Sequence, residues 1–562
     1  CIRDSKNPDP ALDLYDFLPT ELRTSYPTFP ASYSDRAYAT DDGLVSFDTG
    51  SWGDLDLPDL ACGRLAASSV AEAQGLVDRA ISYAASPEPG LWRNRVLMTA
   101  DDCVTFSSWP DPISSENAHT EQAEVISNSY LPRSLDTVKL YGVAYDFPPS
   151  SRVKPALRAD INNELGRGAT IFYYVGHGAE DNLADEQIFQ SRDITNLTND
   201  MMRPVFIAFS CDVGVFDSPS RLSMAEQFTL AENGGAIGAI CASQVSFVTP
   251  NDLLSNAFFE NLYPAGRIDG AVTPADALLA GKNTISSYYQ ANSQRYNFLG
   301  DPGMALAQPP DDLVFTAASL DTLKAGLLQS AVVDAASGGA MIGAGDSYDL
   351  LVLDSAYDYG YVKALRDSLI AQGEYVKVPV WETFSAWGAP VFAGTGTVGS
   401  GDLQVDFIAP TKIRYGDAAR LRMVVTSLGA MRTAAEIVPS VQASTGPTTD
   451  IFGPDIGLRF EDDRYTVNHG TMLSATLADS SSISILGTTP GNSLLLEFDA
   501  SGFMTDVTRS FAFNANSYTD GSLDFPLPGD LEMGPHVVAQ HASDALGNVG
   551  SDTLSFELAP TG

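Results

Sequence analysis

The sequence predicts an α/β half, built on a mostly parallel sheet flanked by helices, followed by all-β sandwich modules. Three observations carry this reading. Up to about residue 300, apolar runs of strand length alternate with segments of helical period, the pattern of a parallel sheet covered on both faces. Beyond Pro309-Pro310 the chain turns to short Val, Leu, Ile and Phe runs separated by Gly, Asp, Ser and Asn, as in sandwich modules. Within the first half, the run 172–175 ends on Gly176-His177-Gly178 and the run 205–209 ends on Ser210-Cys211-Asp212. Reactive groups just beyond the carboxyl ends of parallel strands are where α/β folds keep their chemistry.

The elements follow in order. Residues 67–85 are expected to be helical, and 95–100 form a strand ending on Asp101-Asp102. A helix is expected over 121–130, a strand over 137–141, a helix over 152–165, and then the strand before His177. After the Cys211 strand come a helix over 224–232, a Gly234-Gly235 stop and a strand over 236–241. The α/β texture ends near Leu299-Gly300-Asp301-Pro302, which has no phosphate-cradling glycine pattern. Runs at 347–353, 403–408, 420–426, 493–498 and 551–558 are expected strands of immunoglobulin-like sandwiches. The expected domains are 1–308, 309–448 and 449–562, with the last boundary near Thr445-Gly446-Pro447.

Composition sets the surroundings of these domains. The 562 residues are 44% hydrophobic and 10% aromatic, enough to bury several cores. Net charge is −39 and only eight of the 32 basic residues are lysines, so phosphate repulsion argues against nucleic acid as a partner. A salt-adapted or simply acidic secreted protein explains this charge; the alternative is a surface built for one cationic partner. No stretch approaches the roughly 20 apolar residues of a membrane span. The chain opens on a polar segment with neither Met nor an apolar leader and is read as processed or truncated. The five cysteines, at 1, 62, 103, 211 and 241, are odd in number and irregularly spaced, against a disulfide framework and against a zinc site. Acidic loops such as Asp41-Asp42 could carry calcium as a structural ion, but without calcium-loop spacing they read as solvated.

His177 and Cys211 are the candidate catalytic pair. An imidazole at hydrogen-bond reach lowers the pKa of a thiol and later hands the proton to the leaving amine. The 34-residue separation suits a crossover between adjacent strands, and only one other histidine, His119, precedes residue 310. Gly178 lets its backbone N–H approach a substrate, so that with the Cys211 N–H it could form an oxyanion hole. Cys241, also at a strand end, is the rival nucleophile; Cys62 and Cys103 read as packing residues.

Six stretches occur in order: Tyr38-Ala39-Thr40-Asp41-Asp42, residues 57–65, Tyr174-Val175-Gly176-His177-Gly178, residues 210–217, Gly234-Gly235-Ala236-Ile237 and Leu299-Gly300-Asp301-Pro302. Together they resemble the gingipain-type cysteine peptidases, which share a caspase-like fold, over residues 1 to about 307. Within that family the pattern is most similar to the sortase-like peptidases of type IX secretion, and 452–456 and 539–548 resemble their downstream β region more loosely. The resemblance implies Cys211 as nucleophile, His177 as general base and acid, and the Gly178 and Cys211 N–H groups as oxyanion hole. Asp101 matches the acid that orients the histidine; its other reading is a solvated loop carboxylate. No cofactor is implied, and the implied partners are protein or peptide substrates and other components of type IX secretion, at the outer surface of a bacterium or outside it. Where arginine-specific members hold the guanidinium with an acid, the nearest position here is His119, so arginine specificity is not implied. Both ends read as cut relative to the family. The reading of a different class is a catalytically inactive surface protein whose β modules bind or adhere.

Overall fold

Alternating side chains explain why the strand Ile171–Val175 lies at the heart of the first half. Phe172 and Tyr174 enter one core with Leu157, Ile161, Leu165, Phe206 and Phe228, while Tyr173 turns to the other face, 5.5 Å from Phe259. All five residues of the strand are buried, as a strand covered on both faces must be. In the computed structural model the described residues are 21–24, 37–47, 57–218, 221–268, 270–316, 321–334, 342–369, 375–443, 450–461, 464–487 and 493–560. They divide into two units, 1–310 with 359–384, and 311–358 with 385–562.

In the first unit a six-stranded sheet runs, in spatial order, Tyr296–Leu299, Gly238–Ala242, Val205–Phe209, Ile171–Val175, Arg95–Ala100 and Asp136–Tyr141. All neighbouring pairs are parallel except the antiparallel edge strand Tyr296–Leu299. Helices Pro155–Gly166 and Met224–Leu230 supply the core on the Phe172 face. Four aromatic rings, Phe172, Phe189, Phe206 and Phe228, pack there with centroids 5.2–6.2 Å apart. Each such pair adds about 0.5–1.5 kcal/mol beyond the area it buries. Helix starts follow local chemistry: Ser223 with Glu226, and Thr273 with Asp276 behind Pro274, form reciprocal capping boxes.

The expected strands and helices of this half are present, with ends shifted by a few residues. The expected helix over 121–130 is an α-helix, Ala118–Val125, continued as a π turn, Ile126–Tyr130. Two helices that the sequence pattern did not bring out, Val248–Leu262 and Pro274–Thr284, also belong to this unit. So does an antiparallel hairpin of Tyr357–Leu369 and Tyr375–Ala386, whose residues 359–384 group with the first unit although they fall inside the expected 309–448 module.

The second unit is all β. One sheet has the order Pro390–Thr397, Ser347–Leu353, Ala419–Ser427, Ala430–Val438; another has Asp455–Phe460, Met472–Ala478, Asp520–Pro526, Phe511–Phe513. A five-stranded sheet centred on Val549–Leu558, Gly534–Ser543 and Leu495–Phe498 lies further along the chain. A single apolar cluster extends from Leu313 to Leu558, so the two expected modules share a core. The expected boundary at 445–447 lies outside the described residues.

Candidate active site

Register brings the candidate residues to one sheet edge. Ala100 pairs with Val175 and Val175 with Phe209, so Asp101, Gly176-His177 and Ser210-Cys211 leave the sheet side by side. The turns are tied together: Ser210 Oγ donates to the Gly176 carbonyl at 2.7 Å, and Tyr174 Oη donates to the His177 carbonyl at 2.5 Å. Gly176 has φ +155° and a Cβ there would lie 2.4 Å from Asp101 Cβ; only glycine permits this approach. At Gly178 a Cβ would meet Ser210 Oγ at 2.3 Å, so the candidate oxyanion segment also excludes a side chain.

The group on the His177 ring is Glu116. His177 Nε2 lies 2.9 Å from Glu116 Oε2, and His119 Nε2 approaches the same oxygen at 3.6 Å. The two imidazoles meet edge to face with centroids 5.4 Å apart. Asp101, expected to orient the ring, instead accepts the His177 backbone N–H at 2.9 Å and that of Asp102 at 2.9 Å. Through these bonds it holds the loop that carries His177. Nor is it a solvated carboxylate, being 2% exposed. Hydrogen bonding to Glu116 raises the His177 pKa to about 9 against the cost of burial. The imidazoles of His119 and His177 in turn hold the Glu116 carboxyl well below the usual range.

Cys211 Sγ faces the backbone of Ser246, donating to its carbonyl at 3.3 Å and accepting its N–H at 3.4 Å. No hydrogen bond joins it to His177 among the described residues; catalytic contacts of this kind often tighten only around substrate. Burial pushes the thiol up, so it is protonated at rest. Asp212, next in the chain, takes φ +58°, a sharp turn that ends the strand at the thiol. Cys241, the rival nucleophile, is 2% exposed and burial drives its pKa far up, which makes it a packing residue. Cys103 is likewise buried, and the four described cysteines are all free thiols.

Sequence reasoning missed Glu116. Its only signal was a carboxylate three residues before the one other early histidine, on the turn that leads into the helix Ala118–Val125. Asn117, beside it, accepts the Tyr361 hydroxyl of the long hairpin at 2.6 Å.

With this geometry in view, the family model described as Peptidase family C25 matches residues 3–307, more than half of the chain. The chain belongs to peptidase family C25. No curated protein matches its sequence. Among solved structures, the C25 chain is similar to the Arg-specific cysteine proteinase gingipain R at 16% identity, over 72% of this chain and 79% of that one, with a TM-score of 0.38. It is also similar to dimeric latent PorU from Porphyromonas gingivalis at 15% identity, over 96% of this chain and 44% of that one, with a TM-score of 0.30. As expected, a mostly parallel α/β sheet with helices is followed by antiparallel β sheets.

Among the described residues of the C25 chain, three side-chain groups bring ligand atoms within 4.8 Å of one another: Glu116, His119 and His177; Asp101, Asp102 and Glu186; and Asp450, Asp479 and Asp544. The second holds Lys154 Nζ, 2.5 Å from Asp102 Oδ2, and burial followed by the charges of Asp101 and Asp102 raises Glu186 well above the carboxylate range. The Asp41-Asp42 loop is not solvated as expected: Asp41 pairs with buried Arg64, and Asp42 with Lys282 at 2.6 Å. The chain's repeated Asp-rich turns thus include buried ion pairs that charge counting alone could not separate from surface. Among the described residues no helix is long and apolar enough to cross a membrane.

Proposed function

We propose that the chain is a cysteine endopeptidase in which Cys211 is the nucleophile, His177 the proton carrier and Glu116 the group that orients and charges the imidazole. The observation that carries this is the emergence of His177 and Cys211 from paired strands at one sheet edge, with the Glu116 carboxylate on the histidine ring at 2.9 Å. Nε2 is taken by Glu116, so Nδ1 is the atom that accepts the Cys211 proton as Sγ attacks the substrate carbonyl carbon. The oxyanion then lies against the N–H groups of Gly178 and Cys211, each such donor contributing about 3–4 kcal/mol to the transition state. Collapse breaks the C–N bond, the His177 proton leaves with the amine, and a thioester on Cys211 remains. Asp101 serves by holding the His177 backbone N–H.

Water or a second amine can take the acyl group from that thioester, so hydrolysis and transfer share these residues. The finer proposal is removal of sorting domains from secreted cargo, at the bacterial surface or outside the cell and alongside other components of type IX secretion. Its support is the order of motifs from Tyr38 to Pro302 and the looser likeness at 452–456 and 539–548. The test is cleavage of a cargo protein that carries its sorting domain. Cys211→Ala and His177→Ala, each with an unchanged circular dichroism spectrum, are expected to abolish it; retained cleavage by purified Cys211→Ala rules out the assigned nucleophile.

A further inference from the structure

We propose that Glu116, His119 and His177 form a binding site for a transition-metal dication, zinc by its donor set, and that occupancy switches the peptidase off. Two imidazoles and a carboxylate are the ligands zinc accepts in three-residue sites that leave a fourth position to water. Tetrahedral zinc with bonds of 2.0–2.2 Å sets its ligand atoms about 3.3 Å apart. The contacts on Glu116 Oε2, 2.9 Å from His177 Nε2 and 3.6 Å from His119 Nε2, bracket that spacing.

His119 supplies an independent reason. Its side chain is buried, its Nδ1 has no hydrogen-bond partner, and its Nε2 contact at 3.6 Å is beyond hydrogen-bond length. A buried imidazole that reaches its carboxylate only at 3.6 Å is poorly compensated for its burial, and a metal ion at Nε2 would complete that nitrogen. The His177 side chain is 48% exposed, so an ion reaches the site from solvent. The two other acidic groups offer oxygen alone, which suits hard cations such as calcium.

The regulatory consequence rests on the proposed role of His177, whereas the metal site itself does not. A neutral imidazole has one lone pair to give. With the metal on Nε2, Nδ1 keeps its hydrogen and cannot accept the Cys211 proton. Glu116 is drawn from the ring at the same time.

The experiment titrates Zn2+ into metal-free full-length Cys211→Ala against a chromophoric chelator, with excess Ca2+ to occupy oxygen-only sites. One zinc is expected to bind, and His119→Ala to weaken it by more than the roughly 10–100-fold lost when an outer-shell partner is removed. Co2+ bound to otherwise unmodified protein is expected to give the visible bands of a four-coordinate site, a readout that does not depend on the variants folding. Zinc held by His119→Ala but lost in Cys211→Ala would place the ion on the thiol and overturn the site. Absence of saturable binding would do the same. Zinc bound at full occupancy with undiminished cleavage would overturn the switch, whereas binding in a protein that never cleaves would count against the peptidase reading and leave the site standing.

Discussion

Glu116 decides the protonation of the site. At neutral pH its carboxylate keeps His177, with a pKa raised to about 9, as the imidazolium beside a protonated Cys211 thiol. In the proposed mechanism one proton must leave that pair before Sγ can attack, so kcat/KM is expected to rise with pH on a limb whose apparent pKa is near 9. Glu116→Gln removes the charge that raises His177. The limb should then move down toward the ordinary histidine value of about 6.5, while the plateau falls because the neutral amide, though it can still accept from the ring, stabilises the imidazolium less than the carboxylate does. A pH profile of kcat/KM for the two proteins checks both, and a limb that stays in place would remove Glu116 from the site. The placement of His177 and Cys211 at neighbouring strand ends was legible in the sequence because each follows an apolar run of strand length. Glu116 was not, because it lies on a turn with no period and meets its partner across 61 positions. Asp101 was legible as a strand-end acid, yet the pattern could not say that it would meet the His177 backbone rather than the ring.

At the scale of elements, the strand Arg95–Ala100 was read to the residue, and most others to within two or three. Fully apolar runs flanked by turn residues leave little choice of state. The long hairpin was not legible as part of the first unit, since its alternating texture matches that of the β region around it. What attaches it there is specific: the Tyr361 hydroxyl on Asn117 at 2.6 Å, the Leu365 N–H on the Pro112 carbonyl at 3.3 Å, and Phe384 edge-on to Tyr141 at 5.0 Å. Asn117 follows Glu116 directly, so the hairpin supports the turn that carries the histidine's partner. Tyr361→Phe is expected to lose about 0.5–1.5 kcal/mol of unfolding free energy through the one hydrogen bond removed. Urea melts of the two proteins measure this, and an unchanged midpoint would mean that the bond contributes nothing to the hold.

At the scale of the whole molecule, the break near residue 310 was legible as a change of texture, and the units divide at Pro310 apart from the hairpin. The partition of the β region was not, because one apolar core runs from Leu313 to Leu558 and no composition shift marks which strands share it. Net charge was silent on where acids are buried against Arg64, Lys154 and Lys282. The central claim is that, of the four described free thiols, Cys211 is catalytic while the others are packing residues. It is tested most directly by treating the reduced, metal-free full-length protein with a peptide acyloxymethyl ketone and mapping the adduct by mass spectrometry. A single adduct on Cys211 that disappears in His177→Ala is the expected result; an adduct on Cys241, or none on Cys211, would contradict it.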